Sequence, residues 1–129
     1  LAIMEKQRLG NTETVEMTAF IGDVQGRHAI IFEDEISSGG TVVKAVEILK
    51  AQGASQITVC APHGVFCDHA LQRLSGCGIE EIIVSDSVPH QREALSGYPV
   101  TRLSVAQLLA EEIHRVHSGE SVSDLFQDY

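Results

Sequence analysis

Two acidic side chains followed by a run of small residues form the segment of this chain with the clearest chemistry. Glu33 and Asp34 come directly after the apolar run Ala29–Phe32. Five small residues then follow, each able to bind through backbone N–H groups or a hydroxyl: Ser37, Ser38, Gly39, Gly40 and Thr41. Glycines let the backbone approach a ligand closely, and N–H groups at a helix start bind anions. The pattern favours a phosphate site at 37–41, with carboxylates beside it for sugar hydroxyls or a bridging Mg²⁺.

The same pattern has plainer interpretations. Serine and glycine are common where a strand turns into a helix, and two acids can simply end a solvated strand. A Walker loop is excluded because Thr41 has no lysine before it, and no G-x-G-x-x-G follows the strand. A response-regulator receiver needs a lysine late in the chain, whereas the lysines here are Lys6, Lys44 and Lys50.

Alternating apolar runs and helical patterns predict an α/β fold with a parallel sheet flanked by helices. The predicted strands are Ala29–Phe32, Ile57–Cys60, Ile82–Val84 and a weaker one within Pro99–Val105. The predicted helices are Thr41–Gln52, His69–Leu74 and Val105–Val116, the last being either core or an oligomer contact. Near the start, Leu1–Glu5 and Val15–Phe20 are expected to be strands around a polar loop, Lys6–Thr14. Because three strands are continuous apolar runs, both faces of the sheet are expected to be covered, with ligands beyond the carboxyl ends of the strands.

Composition limits the class of protein. The 129 residues carry 9 Lys+Arg against 18 Asp+Glu, and this acidic surface argues against nucleic-acid binding. No apolar run reaches the ~18 residues of a membrane span, and no signal peptide is recognisable. Three cysteines without a C-x-x-C pair indicate free thiols in a reducing compartment, so a cytoplasmic protein is expected. The spacing of His63, Cys67 and His69 matches no standard zinc site.

Several segments together resemble one known family. Ile30–Thr41 resembles the phosphoribosyl-pyrophosphate (PRPP) motif of type I phosphoribosyltransferase folds. Five further segments resemble ribose-phosphate pyrophosphokinase, also called PRPP synthetase: Gly22–Arg27, His63–Phe66, Ser85–Pro89, Leu103–His117 and Gly119–Phe126. The resemblance implies a type I phosphoribosyltransferase-like fold truncated at its N-terminal side. It further implies that the chain is the C-terminal half of such an enzyme, one partial domain over 1–129, without the family's N-terminal ATP-binding domain.

The resemblance also implies roles for particular residues. Lys6 and Arg8 match a catalytic pair that a mobile loop brings onto the phosphates of ATP. Glu33 and Asp34 would hold the ribose hydroxyls, with Mg²⁺ possible near them, and Ser37–Thr41 would hold the 5-phosphate. The reaction implied is attack of the anomeric hydroxyl of ribose 5-phosphate on the β-phosphorus of ATP, giving PRPP and AMP. Mg²⁺, ATP, ribose 5-phosphate and PRPP are therefore the expected cofactor and partners, and a homo-oligomer is expected, with no nucleic acid and no membrane.

Two acids depart from the family pattern. Glu33 stands where the family usually has Asp, and Glu35 adds negative charge beside the expected phosphate site. Together with the absent ATP domain, these departures keep two alternatives open. One is a non-catalytic regulatory or binding relative of PRPP synthetase. The other is a PRPP-dependent phosphoribosyltransferase, which needs a base-recognition element that the sequence does not contain.

Overall fold

The computed structural model describes residues 3–8 and 15–126, with side chains from residue 21 to 125 except that of Arg92. The strands are β1 (Ile3–Arg8), β2 (Val15–Ile21), β3 (His28–Phe32), β4 (Glu35–Ile36), β5 (Gln56–Ala61), β6 (His63–Gly64), β7 (Glu81–Ser85) and β8 (Val100–Leu103). The helices are α1 (Gly40–Ala51), α2 (Ala70–Gly76), α3 (Arg92–Leu95) and α4 (Ala106–Ser118), and a 3₁₀ turn spans Ser123–Phe126. The short elements β4, β6 and α3 were not predicted from the sequence, since each is too brief to show a hydrophobic period.

Four parallel strands form the main sheet in the order β3-β5-β7-β8. Their register places Ile31 beside Val59 and Val59 beside Ile82. These branched apolar residues suit a pleated surface buried against helices. The predicted α/β fold with a parallel sheet flanked by helices is therefore confirmed.

The helices α1 and α2 contribute to a core on one face of this sheet. Val46 of α1 and Leu74 of α2 are fully buried in the same cluster as Val59 and Val84. Burial of this kind stabilises a fold by about 1.5–3 kcal/mol for each large side chain. The core accounts for the periodic apolar positions that predicted the two helices.

The opposite face of β3 is open, so the expectation that both faces are covered is wrong for this part of the sheet. The side chains of Ile30 and Phe32 are 54% and 78% exposed. The strand order explains the difference, because each strand lies beside the next strand of the same sheet along the chain. Right-handed crossovers between such neighbours place every connecting helix on the same face. An apolar run in β3 therefore does not by itself indicate two covered faces.

Helix α4 shows the same mismatch between pattern and burial. Its apolar stripe includes Ile113 and Val116, which are 70% and 69% exposed, and none of its residues is buried. The helix ends at Gly119, whose φ of +73° gives the left-handed C-cap that glycine favours. The apolar period predicted the helix correctly. Of the two roles expected for it, a core role is wrong, because none of its residues is buried.

The N-terminal hairpin corrects one predicted boundary. Strands β1 and β2 pair antiparallel, with Lys6 opposite Met17 and Arg8 opposite Val15, and a bulge follows Glu5. Residues 6–8 are therefore strand rather than part of a polar loop, since their backbone groups pair with β2. The remainder of the predicted loop, residues 9–14, lies outside the described residues.

Asp86 joins the end of β7 to the start of α4 and gives a pH-dependent prediction. Its carboxylate accepts the Val105 N–H at 2.9 Å and interacts with the Ser104 hydroxyl, and these contacts lower the pKa of Asp86. A depressed pKa in the folded state means stability that is present above the unfolded pKa and lost as pH falls through the folded one. We expect NMR titration to give Asp86 a midpoint below the usual aspartate range, and Asp86→Asn to flatten the acid side of the stability profile. Ser104→Ala should raise that midpoint part of the way, and a midpoint at or above the usual range would contradict the assignment.

Candidate phosphate-binding site

The segment that carries the candidate site begins where β3 ends. Glu33 donates its N–H to the Cys60 carbonyl at 3.0 Å, so the chain stays beside β5 for one more residue. It then enters β4, which pairs with β6 in a small parallel ladder. Ile36 is buried, and its carbonyl accepts the N–H groups of Val65 and Phe66. These contacts fix the backbone directly before the small-residue loop.

One continuous stretch of chain, residues 33–42, lines a cavity of about 350 Å³ at this edge of the sheet. All seven residues predicted to bind ribose phosphate are in that lining: Glu33, Asp34, Ser37, Ser38, Gly39, Gly40 and Thr41. Glu33 is half-buried and Asp34 is exposed, and one Asp34 oxygen accepts the Glu35 N–H at 2.9 Å. Glu35 lines the cavity too, so three carboxylates and several amide and hydroxyl donors surround the same space.

Gly39 sets the geometry of the loop. It is the N-cap of α1 with φ +76°, and its carbonyl accepts the Val43 N–H that starts the helix. Glycine has no side chain, so none caps the first-turn N–H groups of this helix. Those amides are left for a ligand, and the helix dipole adds positive potential at the same point. The loop can therefore bind an anion without a basic residue of its own.

A second cavity of about 390 Å³ adjoins the loop and brings in residues that the sequence did not indicate. Its lining adds Lys44, Cys67 and Asp68 to four residues of the loop. The Cys67 thiol lies 3.1 Å from the Ser37 hydroxyl, and Arg73 of α2 donates to the Ser38 carbonyl. Lys44 follows Thr41 by three residues on a helix, a spacing that could have revealed it. Cys67, Asp68 and Arg73 come from the next βα unit, and only the tertiary fold brings them here.

The two predicted catalytic residues belong to the N-terminal hairpin. Lys6 and Arg8 lie on β1, two positions apart, and their side chains are outside the described part of the chain. The structure therefore brings the seven predicted binding residues together at one cavity and does not relate Lys6 or Arg8 to it.

The described residues limit the metal and thiol chemistry of the chain. Among them, no three His, Cys, Asp or Glu side chains form a group that could hold a metal ion. Glu33 and Asp34 offer carboxylate oxygens, which fit a Mg²⁺ that also takes oxygens from water and a substrate phosphate. Burial raises the pKa of the Cys60 and Cys77 thiols, so these two cysteines are poorly suited as nucleophiles.

Membrane-spanning helices are absent from residues 3–8 and 15–126, where no helix has the length and apolar character that a span requires.

Comparison with known proteins identifies the class to which this fold and loop belong. The phosphoribosyl synthetase-associated domain family matches residues 7–127, and the chain belongs to that family. The chain is 43% identical to ribose-phosphate pyrophosphokinase of Synechococcus elongatus over 98% of its length. It is 42% identical to ribose-phosphate pyrophosphokinase 1, chloroplastic, of Arabidopsis thaliana, again over 98%. The crystal structure of phosphoribosylpyrophosphate synthetase from Mycobacterium smegmatis matches 84% of this chain with a TM-score of 0.74 and 37% identity.

The matched proteins are much longer than this chain. It spans 38% of the Synechococcus enzyme, 31% of the Arabidopsis enzyme and 35% of the Mycobacterium chain. The prediction of family membership is confirmed. The assignment to a C-terminal half is not: the matched share is less than half, and the comparisons do not support placing it at the C-terminal end.

Proposed function

We propose that the chain binds ribose 5-phosphate and PRPP in the cavity lined by residues 33–42, as part of a ribose-phosphate pyrophosphokinase. The observation that carries this proposal is that an unbroken segment of acids, hydroxyls and N-terminal helix amides lines one cavity. The amides and hydroxyls of Ser37–Thr41 hold the 5-phosphate. The carboxylates of Glu33 and Asp34 accept hydrogen bonds from the ribose hydroxyls and are the residues that would hold Mg²⁺. The names of the Synechococcus and Arabidopsis relatives, ribose-phosphate pyrophosphokinases, support the same substrate class.

In the proposed reaction the anomeric hydroxyl of ribose 5-phosphate attacks the β-phosphorus of ATP, AMP leaves, and the hydroxyl proton goes to solvent. Lys6 and Arg8 supply positive charge to the phosphates of ATP, where negative charge spreads during transfer. Mg²⁺, when bound, neutralises phosphate charge. The loop and the two acids hold the sugar so that its anomeric oxygen is placed for attack. The working protein is proposed to be a cytoplasmic homo-oligomer.

The proposal is tested by calorimetric titration of ribose 5-phosphate in the presence of Mg²⁺. We expect saturable binding, with ribose alone binding far more weakly because it lacks the phosphate held by the helix amides. Thr41→Val should weaken binding about tenfold, since it removes one hydroxyl donor to a charged group. Thr101→Val is the matched control, because Thr101 is on β8 and its hydroxyl donates to Glu81 of β7 at 2.6 Å, away from the cavity. No heat and no rise in the unfolding midpoint at millimolar ligand would contradict the binding proposal.

A second candidate function is a non-catalytic binding or regulatory role beside a complete synthetase. The observation that favours it is a third carboxylate, Glu35, in the lining of the same cavity, because its negative charge would repel a phosphate there. Mixing the chain with a complete ribose-phosphate pyrophosphokinase separates the two functions. A change in that enzyme's rate, or a hetero-oligomer in light scattering, would support regulation. If both effects are absent, only the first function remains.

A further inference from the structure

We infer that Arg73 is a positioning residue for the phosphate loop: it holds the Ser38 carbonyl and so aims the Gly39 N–H into the cavity. The inference rests on the proposed function, because it assigns a role within the same phosphate site. It concerns a residue of α2, outside the segment 33–42.

The loop rests on two successive residues of α2. Arg73 donates from its guanidinium to the Ser38 carbonyl, 35 residues earlier in the chain. Leu74 is fully buried, and its side-chain atoms lie 3.1–3.3 Å from where a Cβ on Gly39 would stand. The α2 backbone holds both residues, since the Arg73 N–H reaches the His69 carbonyl and Leu74 accepts from Cys77. The peptide group between Ser38 and Gly39 is thus fixed by the hydrogen bond from Arg73 and by the packing of Leu74 against Gly39.

Peptide geometry converts that contact into an orientation of an N–H group. A trans peptide is planar, so the carbonyl of Ser38 and the N–H of Gly39 point in opposite directions. Fixing the carbonyl toward α2 therefore turns the Gly39 N–H away from α2. Gly39 lines the 33–42 cavity, whereas Arg73 lines neither that cavity nor the adjoining one. Because Gly39 lines the cavity and Arg73 does not, an amide turned away from α2 is inferred to face the cavity.

The charge of Arg73 strengthens the same effect. A hydrogen bond from a charged donor polarises the carbonyl that accepts it, and the polarisation extends through the peptide to its N–H. The segment 33–42 contains three acids and no lysine or arginine. Arg73 therefore adds positive character to the loop through the peptide without entering the cavity.

The test compares Arg73→Met, Arg73→Gln and Arg73→Lys with the unaltered chain. Arg27→Met is the matched control, because Arg27 is an exposed arginine whose contact is a surface ion pair with Asp23 at 3.8 Å. Two readings are taken: the Gly39 amide resonance in the ligand-free ¹⁵N spectrum, and the affinities for ribose 5-phosphate and for ribose. The unfolding midpoint of each variant is measured alongside.

We expect Arg73→Met to shift the Gly39 resonance and to weaken ribose 5-phosphate binding about tenfold, as loss of one charged hydrogen bond would. Binding of ribose should be unchanged, and the midpoint should match that of Arg27→Met. Arg73→Lys, and to a lesser degree Arg73→Gln, should restore the resonance and the affinity together, since each retains an N–H donor. If Arg73→Lys restores the affinity but leaves the Gly39 resonance shifted, the arginine acts by direct charge attraction, and the positioning role is overturned.

An unmoved Gly39 resonance in Arg73→Met, or an affinity loss that only follows the unfolding midpoint, would also overturn it. Failure of the proposed function gives a different result, namely an unaltered chain that binds no ribose 5-phosphate. Failure of the Arg73 role gives normal binding by the unaltered chain and by Arg73→Met alike.

Discussion

Replacing Asp34 by Asn is expected to weaken ribose 5-phosphate binding about 100-fold while strengthening the binding of inorganic phosphate. A carboxylate can accept two hydroxyl hydrogen bonds, and losing the charged acceptor costs about 2.7 kcal/mol, which is 100-fold in affinity. Inorganic phosphate has no ribose hydroxyls, and in the absence of Mg²⁺ it experiences only the repulsion of the carboxylate. Its binding should therefore improve, by roughly threefold at low salt.

The opposite signs separate a sugar-binding acid from an acid that is merely nearby. Glu35→Gln is the matched control, because Glu35 lines the same cavity without a proposed contact to the ribose. It should strengthen the binding of both ligands. Asn retains an oxygen that can accept the Glu35 N–H, now held at 2.9 Å, so the backbone beside it is preserved in Asp34→Asn. Both variants are measured by calorimetry at fixed ionic strength without Mg²⁺, because Asp34 is also proposed to hold that ion and its loss would weaken phosphate binding. Equal changes for ribose 5-phosphate and phosphate in Asp34→Asn would contradict its role toward the ribose.

Gly39→Ala is expected to destabilise the protein by about 3 kcal/mol, from backbone strain and crowding together. A residue with a Cβ at φ +76° costs about 1–2 kcal/mol, and overpacking a buried contact costs about 1–3 kcal/mol more. The crowding arises because the new Cβ would lie 3.1 Å from Cγ of Leu74, which is fully buried and has little room to move. Urea unfolding monitored by circular dichroism measures the change.

Gly26→Ala isolates the backbone part of that cost. Gly26 has φ +68°, and a Cβ there would meet nothing within 4 Å. It should lose only about 1–2 kcal/mol, as strain without crowding predicts. Equal losses in the two variants would show that Leu74 does not support the loop. In a Leu74→Ala background, the additional cost of Gly39→Ala should shrink to that of Gly26→Ala.

Local patterns in the sequence predicted the loop and most of the fold. The acids, hydroxyls and glycines of 33–41 are contiguous, so their shared cavity follows from one strand, one turn and one helix. The main strands and the helices α1, α2 and α4 were recognisable because each contains enough periodic apolar residues to show its period. Their bounds shifted by a residue or two at most of their ends. Strands lengthened where hydrogen bonding extends beyond the apolar run, whereas α1 ends and α2 and α4 begin one residue inside the predicted bounds.

Features that depend on distant residues were not accessible in this way. Arg73 reaches the loop only because the crossover from β5 to β7 lays α2 beside α1, and no spacing in the sequence encodes that contact. The apolar period of α4 predicted a helix but not the exposure of Ile113, because burial depends on what lies opposite. The extent of β1 through Arg8 is set by pairing with β2, which overrides the polar character of those residues.

The strand order β3-β5-β7-β8 has a consequence for the order in which the protein is made. Each strand of this sheet pairs with the strand of the same sheet that precedes it in the chain, so every addition closes a segment of about one βα unit. The loop at 37–41 emerges well before its support on α2, since Arg73 follows Ser38 by 35 residues. During synthesis the candidate phosphate loop is therefore complete in sequence before the helix that orients its central amide exists.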